Sequence, residues 1–274
     1  MSASEAHTSS RGHTGSASGW LDAHYAMAQP EYEAMLRSVG IQPGWRVLDA
    51  GCGSGSYLPL LAELVGPGGH IIALDLAPEN VALVRERVAA GTLACPVEAE
   101  VGGVTALPFP DATFDAVWCS NTLQYLQPDE EMLAALREFR RVTKPGGLVG
   151  SKEIDLAALQ FFPLDPYLFP RLLHTLDWAP LVRARGQRRW LEQAGLVEVW
   201  QRTTLIERWS PLPPVERAFL AEMLGGFAYL ASQRDDLSER DQAVWSTLLE
   251  PGTLLDRPDL YYCEGQVVAV GRVA

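Results

Sequence analysis

Between residues 46 and 153, short unbroken apolar runs alternate with segments whose apolar residues recur every three or four positions. Unbroken runs of about five residues predict strands buried on both faces, and the three-to-four spacing predicts amphipathic helices. The pattern places strands at 46–50, 70–74, about 96–101, 114–119 and 148–153. The helix between the second and third strands begins at Pro78, a favoured first-turn residue, and stops at Gly91. Asp129 is expected to cap the next helix, where Met132, Leu133, Leu136, Phe139 and Val142 share one face. Ahead of the first strand, Tyr32, Met35, Leu36 and Val39 recur at helical spacing over 30–39. Gly40 ends that helix, and an aromatic lead-in over 20–27 precedes it. Beyond residue 153 the alternation stops. Residues 155–188 are rich in Leu, Phe, Pro and Tyr with no clear strand, and a helix ends at Gly195. Residues 196–209 alternate like a strand, and 213–249 read as a helical block in which Ser238 and Asp241 suggest a capping box. Residues 260–273 read as a strand pair or one long bent strand.

The first strand runs into Leu48-Asp49-Ala50-Gly51-Cys52-Gly53-Ser54-Gly55, and the second ends in Asp75. Glycines at 51, 53 and 55 allow a tight turn and close approach of a ligand to the backbone. A carboxylate at the tip of the next strand can accept both hydroxyls of a ribose. The G-x-G-x-G spacing differs from the G-x-G-x-x-G that grips a pyrophosphate. Asp49 would repel a pyrophosphate and attract an ammonium group. A ligand with adenosine at one end and a zwitterionic amino acid at the other, S-adenosylmethionine, suits this loop, whereas a nicotinamide-dependent oxidoreductase conflicts with it.

Four ordered pieces carry a resemblance: the glycine loop; Ile71-Ile72-Ala73-Leu74-Asp75; residues 106–117, ALPFPDATFDAV; and residues 136–147, LREFRRVTKPGG. Together they resemble the class I S-adenosylmethionine-dependent methyltransferases, most of all the small-molecule branch that includes the ubiquinone and menaquinone methyltransferases. The resemblance implies an α/β, Rossmann-like, doubly wound seven-stranded sheet with one antiparallel strand near the edge. A single domain is expected over 20–274, with helical cap insertions at about 155–188 and 213–250, behind a Ser/Gly/His-rich tail over 1–19 that is read as disordered. The expected cofactor contacts are Asp49, Gly51, Gly53, Gly55, Asp75, Leu76, Gly103, Val104, Ser120 and Tyr25, with His24 beside Tyr25. Family members usually carry an acidic residue at the position of Gly103, so adenine recognition is expected to fall to backbone groups near Val104 and to Leu76.

Composition narrows the partners. A net charge of −12 argues against nucleic acid, whose binders present a basic face. Cys52, Cys95, Cys119 and Cys263 show neither C-x-x-C spacing nor a disulfide framework. No apolar run approaches the ~20 residues of a membrane span, and the Ser/Gly/His-rich start lacks the apolar core of a signal peptide. A cytoplasmic protein with no metal follows, its oligomeric state left open.

Ligands of such sheets bind beyond the carboxyl ends of the strands. Residues after the fourth strand, Ser120 to Tyr125, and after the fifth are therefore expected to face the reactive methyl. No N/D-P-P-Y/F/W tetrapeptide follows the fourth strand, which the resemblance associates with methylation of amino groups on bases or glutamine. Glu153, Asp155 and His174 are the candidate bases, and the aromatic segment 161–169 is the candidate acceptor pocket. The expected activity is methyl transfer to an apolar or aromatic small molecule in specialised metabolism. The rival reading is a relative that binds the cofactor without transferring methyl, as a cyclase or scaffold.

Overall fold

The computed structural model describes residues 18–175 and 183–274. Residues 1–17 of the expected disordered tail lie outside them, whereas Ser18 and Gly19 already belong to the first helix. In chain order the elements are α1 Ser18–Val39, β1 Arg46–Ala50, α2 Leu58–Val65, β2 His70–Asp75, α3 Pro78–Ala89, β3 Val97–Val101 and β4 Phe114–Ser120. They continue with α4 Asp129–Val142, β5 Thr143–Phe162, α5 Leu168–Thr175, α6 Gln187–Gln193 and β6 Val197–Trp209. The last are α7 Pro214–Ser232, α8 Glu239–Thr247, α9 Gly252–Leu255 and β7 Tyr261–Arg272.

The strands form one seven-stranded sheet in the order β3-β2-β1-β4-β5-β7-β6. Neighbours from β3 to β5 are parallel, and β7 runs antiparallel to both β5 and β6. The doubly wound sheet with one reversed strand is therefore present. Its order turns back between β1 and β4, the switch point where such sheets open a crevice at their carboxyl ends.

Alternation along the strands sorts the core onto two faces. Val47, Ile71, Ala116 and Trp118 join α1, α2 and the C-terminal helices in one cluster. Leu48, Ile72, Val117 and Val149 join α4 and α6 in the other. The expected helix over 30–39 is the second half of a longer one, because α1 continues through Pro30. A proline inside a helix costs about 3 kcal/mol. The buried stripe of His24, Met27, Ala28, Tyr32, Leu36 and Val39 runs across it, and its burial on the sheet outweighs that cost.

Three local expectations change. α4 starts at Asp129 with Pro128 at the cap position and no side-chain cap, so its three leading acids act on the helix dipole instead. Ser238 does cap α8, accepting from the Asp241 amide at 3.1 Å, but the Asp241 carboxylate turns away to Arg171 rather than closing a box. β5 runs to Phe162 instead of ending at Glu153, its pairing with β7 shifting between Asp155 and Gln160. That irregularity breaks the alternation by which a strand is read from sequence.

Candidate active site

The loop after β1 is shaped by what lies against it. Gly51 and Gly53 sit at φ 75° and 54°. A Cβ on Gly51 would come within 2.2 Å of Thr122 Oγ1, and one on Gly53 within 2.7 Å of a Leu21 methyl. Glycine is required at both for backbone conformation and for space. Gly55 serves packing, since its Cβ would strike Leu58 and Val84. Asp75 ties the loop to the second strand. Its carboxylate accepts from the Gly53 amide at 2.8 Å, the Ala77 amide at 2.9 Å and Asn80 Nδ2 at 3.2 Å. Asp49, 2% exposed, keeps one carboxylate oxygen without a hydrogen-bond partner. Burial, reinforced by the nearby Asp75, pushes its carboxyl up to about 7.

α1 lies over this loop as a lid. Asp22 accepts from Ser54 Oγ and Ser56 Oγ, both at 2.7 Å, and from Arg87 of α3 at 2.7 Å. Farther along, Arg208 of β6 holds Glu31 at 2.8 Å and the Met27 carbonyl at 2.6 Å. Tyr25, Tyr32, Tyr57 and Trp118 form a run of ring contacts from the helix down to β4.

Between lid and sheet lies a cavity of about 350 Å³. Asp49, Gly51, Gly53, Asp75, Leu76, Gly103, Val104, Ser120 and Tyr25 all border it, as does His24. Gly55 does not. At the nucleoside end Leu76 is 43% exposed. A Cβ on Gly103 would meet only a Leu76 methyl, 3.9 Å away. Lack of space therefore does not account for the missing carboxylate there. Sequence reading did not single out Tyr32, Tyr57, Asn80 or Glu131, which also border the cavity.

The three candidate bases lie elsewhere. Lys152 and Glu153 are adjacent on a strand and so point to opposite faces. Glu153 faces α4 and α6 and accepts the amides of Thr122, Leu123 and Gln124 at 3.1, 3.0 and 3.3 Å. It anchors the turn that presses Thr122 onto Gly51; burial pushes its carboxyl up and the Lys152 amine down. Asp155 shares the Glu153 face and is paired with Arg185 at 2.6 Å. His174 is exposed on α5. The aromatic segment stacks on itself instead of lining the cavity: Phe161 on Phe169 at 5.6 Å, and Phe169 against Trp245 at 5.0 Å. None of the residues bordering the cavity belongs to the described parts of 155–188 or 213–250.

On the α1 face the same parity gathers a buried polar cluster. Lys152 is fully buried, its Nζ 3.6 Å from the Tyr32 ring centroid. Glu264 of β7 is also fully buried and lies 2.9 Å from His24 Nε2. A polar side chain two positions from Tyr262 and from Gln266 in an apolar strand was the available signal for this cluster.

The residues present fit S-adenosylmethionine. The partnerless oxygen of Asp49 suits an ammonium group, and Asp75 suits ribose hydroxyls beside an exposed apolar side chain suited to adenine.

A methyltransferase domain family matches residues 47–147. The chain is 32% identical over 162 residues to a demethylmenaquinone methyltransferase of Geobacillus kaustophilus, covering 59% of this chain and 68% of that protein. A second, from Geobacillus stearothermophilus, is 32% identical over 160 residues, with 58% and 67% covered. Among solved structures, an S-adenosylmethionine-dependent methyltransferase from Aquifex aeolicus is 27% identical at a TM-score of 0.50, covering 63% of this chain and 81% of that one. A Haemonchus contortus phosphoethanolamine N-methyltransferase with bound S-adenosylmethionine shares the fold. Its TM-score is 0.58 at 15% identity, over 100% of this chain and 60% of that one.

Proposed function

This chain belongs to the class I S-adenosylmethionine-dependent methyltransferases, and we propose that it methylates an apolar or aromatic small molecule in a biosynthetic reaction. When bound, the cofactor supplies a methyl group on a sulfonium leaving group. Holding it is the work of Asp49 at the ammonium and Asp75 at the ribose, with Leu76, Gly103 and Val104 around the base. Tyr25 and Leu21 close over the loop from α1. Ser120 and Asn121 stand at the carboxyl end of β4, where the acceptor would approach.

One observation carries the reading: a cavity roofed by α1 is bordered by two carboxylates, Asp49 and Asp75, of kinds suited to the ammonium and the ribose of the cofactor. A roofed cavity lined with Tyr25, Tyr32, Tyr57 and Leu126 favours a compact, ring-bearing acceptor over a macromolecule. The net charge of −12 points the same way. The demethylmenaquinone methyltransferases among the relatives are named for a quinone-type acceptor, in keeping with an aromatic ring here. The protein's part in such a reaction is alignment and exclusion of water.

Calorimetric titration tests the cofactor site and assay of S-adenosylhomocysteine tests the transfer. Asp75→Ala should weaken S-adenosylmethionine binding tenfold to a hundredfold, the equivalent of losing about 1.5–3 kcal/mol of charged hydrogen bonds. Unchanged affinity in a folded Asp75→Ala protein would overturn the cofactor geometry. Binding without product across small-molecule acceptors would favour a non-methylating relative.

A further inference from the structure

The polar cluster at the acceptor end of the cavity is unused by the cofactor contacts above. His24 is 9% exposed, and its ring stacks on Phe219 of α7 at 4.8 Å between centroids and 9° between planes. Its Nε2 lies 2.9 Å from Glu264 Oε1 and 3.0 Å from Tyr32 Oη. Glu264 also accepts from Tyr262 Oη at 2.7 Å and Gln266 Nε2 at 2.9 Å. Although burial pushes the other way, His24 and these two donors hold the Glu264 carboxyl below the usual range. An anion at that oxygen fixes the tautomer: Nε2 carries the proton, and Nδ1 is the basic nitrogen. With its one proton committed to Glu264, Nε2 has no lone pair for Tyr32 Oη, whose own hydroxyl proton is left for another partner.

Asn121 borders the same cavity at φ 50°, a conformation rare outside glycine, with a buried Oδ1 that has no partner. The charged and titratable groups around His24 and Tyr32 are Glu264 and Tyr262 from β7, Lys152 from β5, Tyr57 from the end of the glycine loop, and Tyr25 and Glu31 from α1; α7 presents Phe219.

Building on the methyltransferase reading, we propose that His24 is the catalytic base and that the acceptor carries an acidic hydroxyl on an aromatic or enolic system. Glu264 is the positioning residue, and Tyr32 and Asn121 orient the hydroxyl. The acceptor O–H bond breaks and its proton passes to His24 Nδ1. The oxygen's electron pair forms the new bond to the methyl carbon, and the carbon–sulfur pair stays with sulfur, giving S-adenosylhomocysteine. The imidazolium left behind is paired with Glu264. A neutral amine needs no base.

The test uses S-adenosylmethionine with 2-naphthol, 4-nitrophenol and 2-naphthylamine as probes. 2-Naphthol needs a base, 4-nitrophenol is largely ionised at pH 8, and 2-naphthylamine is the amine control. His24→Ala and the closer-sized His24→Asn, each checked by thermal melting, should lower kcat on 2-naphthol by about 10²–10⁴-fold. They should lower it far less on 4-nitrophenol and leave S-adenosylmethionine affinity unchanged. Glu264→Gln should move the acidic limb of the kcat–pH profile to lower pH, because the imidazolium loses its anion. Without turnover, 4-nitrophenol bound to the S-adenosylhomocysteine complex should ionise at lower pH in the parent protein than in His24→Asn.

Equal losses on both phenols together with weakened S-adenosylmethionine binding would show that His24 holds the cofactor, and would overturn the proposal. So would methylation of 2-naphthylamine but of neither phenol, or no methylation of any probe by a protein that binds S-adenosylmethionine. Failure of the parent protein to bind S-adenosylmethionine would instead strike the cofactor reading on which the proposal stands.

Discussion

At the scale of single residues, the consequential group is Asp49, a carboxylate that the fold buries and leaves half unpartnered. Desolvation first, and repulsion from Asp75 second, hold its carboxyl up at about 7. Below that pH the group is neutral in the free protein; above it, ionised. An ammonium brought against it favours the ionised form, so binding below pH 7 releases a proton. The affinity for S-adenosylmethionine is therefore expected to rise with pH by up to tenfold per unit below about 7, and to flatten above. Calorimetry in buffers of different ionisation enthalpy at pH 6 reads the released proton directly. Asp49→Asn should abolish both the release and the slope. A slope that survives in Asp49→Asn would assign it to another group.

At the scale of elements, α1 decides whether the cavity is closed. Its N-terminal half is fastened to the glycine loop through Asp22, which takes donors from Ser54, Ser56 and Arg87. Asp22→Ala removes all three, and three-sided hydrogen bonding of a charge is worth more than an exposed pair. The variant is expected to release S-adenosylmethionine several-fold faster by stopped-flow fluorescence and to be cut more readily near Leu21 by a protease. Unchanged release would show that the lid is held by its aromatic contacts instead. This lid also shows where sequence reading stops. The strands over 46–120 and the loop between β1 and α2 were legible because local rules set them: apolar runs, glycines and a carboxylate at a strand tip. The span of α1 was not, because Pro30 is a local stop signal that burial of a stripe overrides. Glu153 and Asp155 were chosen as bases for their place at the expected carboxyl end of the fifth strand, read as 148–153. Strand parity sends them to the α4 and α6 face, and sends Lys152, immediately before Glu153, to the α1 face. Glu264 lies more than a hundred residues from Lys152 in sequence, and only the β5–β7 pairing brings the two to one wall.

At the scale of the whole molecule, the C-terminal helices are a support for the lid rather than a second wall of the cavity. α5, α7 and α8 share one apolar core with α1 through Phe169, Phe219, Leu224 and Trp245, all nearly or fully buried. Phe219 touches both Trp20 and His24, at 4.9 and 4.8 Å. Stability of this block and occupancy of the cofactor site should therefore separate. Trp245, 1% exposed and edge-on to Phe169, does not border the cavity. Trp245→Ala is expected to cost about 3–5 kcal/mol as an unfilled core site. At roughly 2–4 °C per kcal/mol for a chain of this size, melting should fall by about 6–20 °C. Saturating S-adenosylmethionine should raise the melting temperature of the variant about as much as that of the parent, because its stabilisation depends on the ratio of concentration to Kd and the site is intact. Differential scanning calorimetry with and without the cofactor measures both quantities. A variant that melts lower and also gains nothing from the cofactor would show that the helical block and the cofactor site are one cooperative structure.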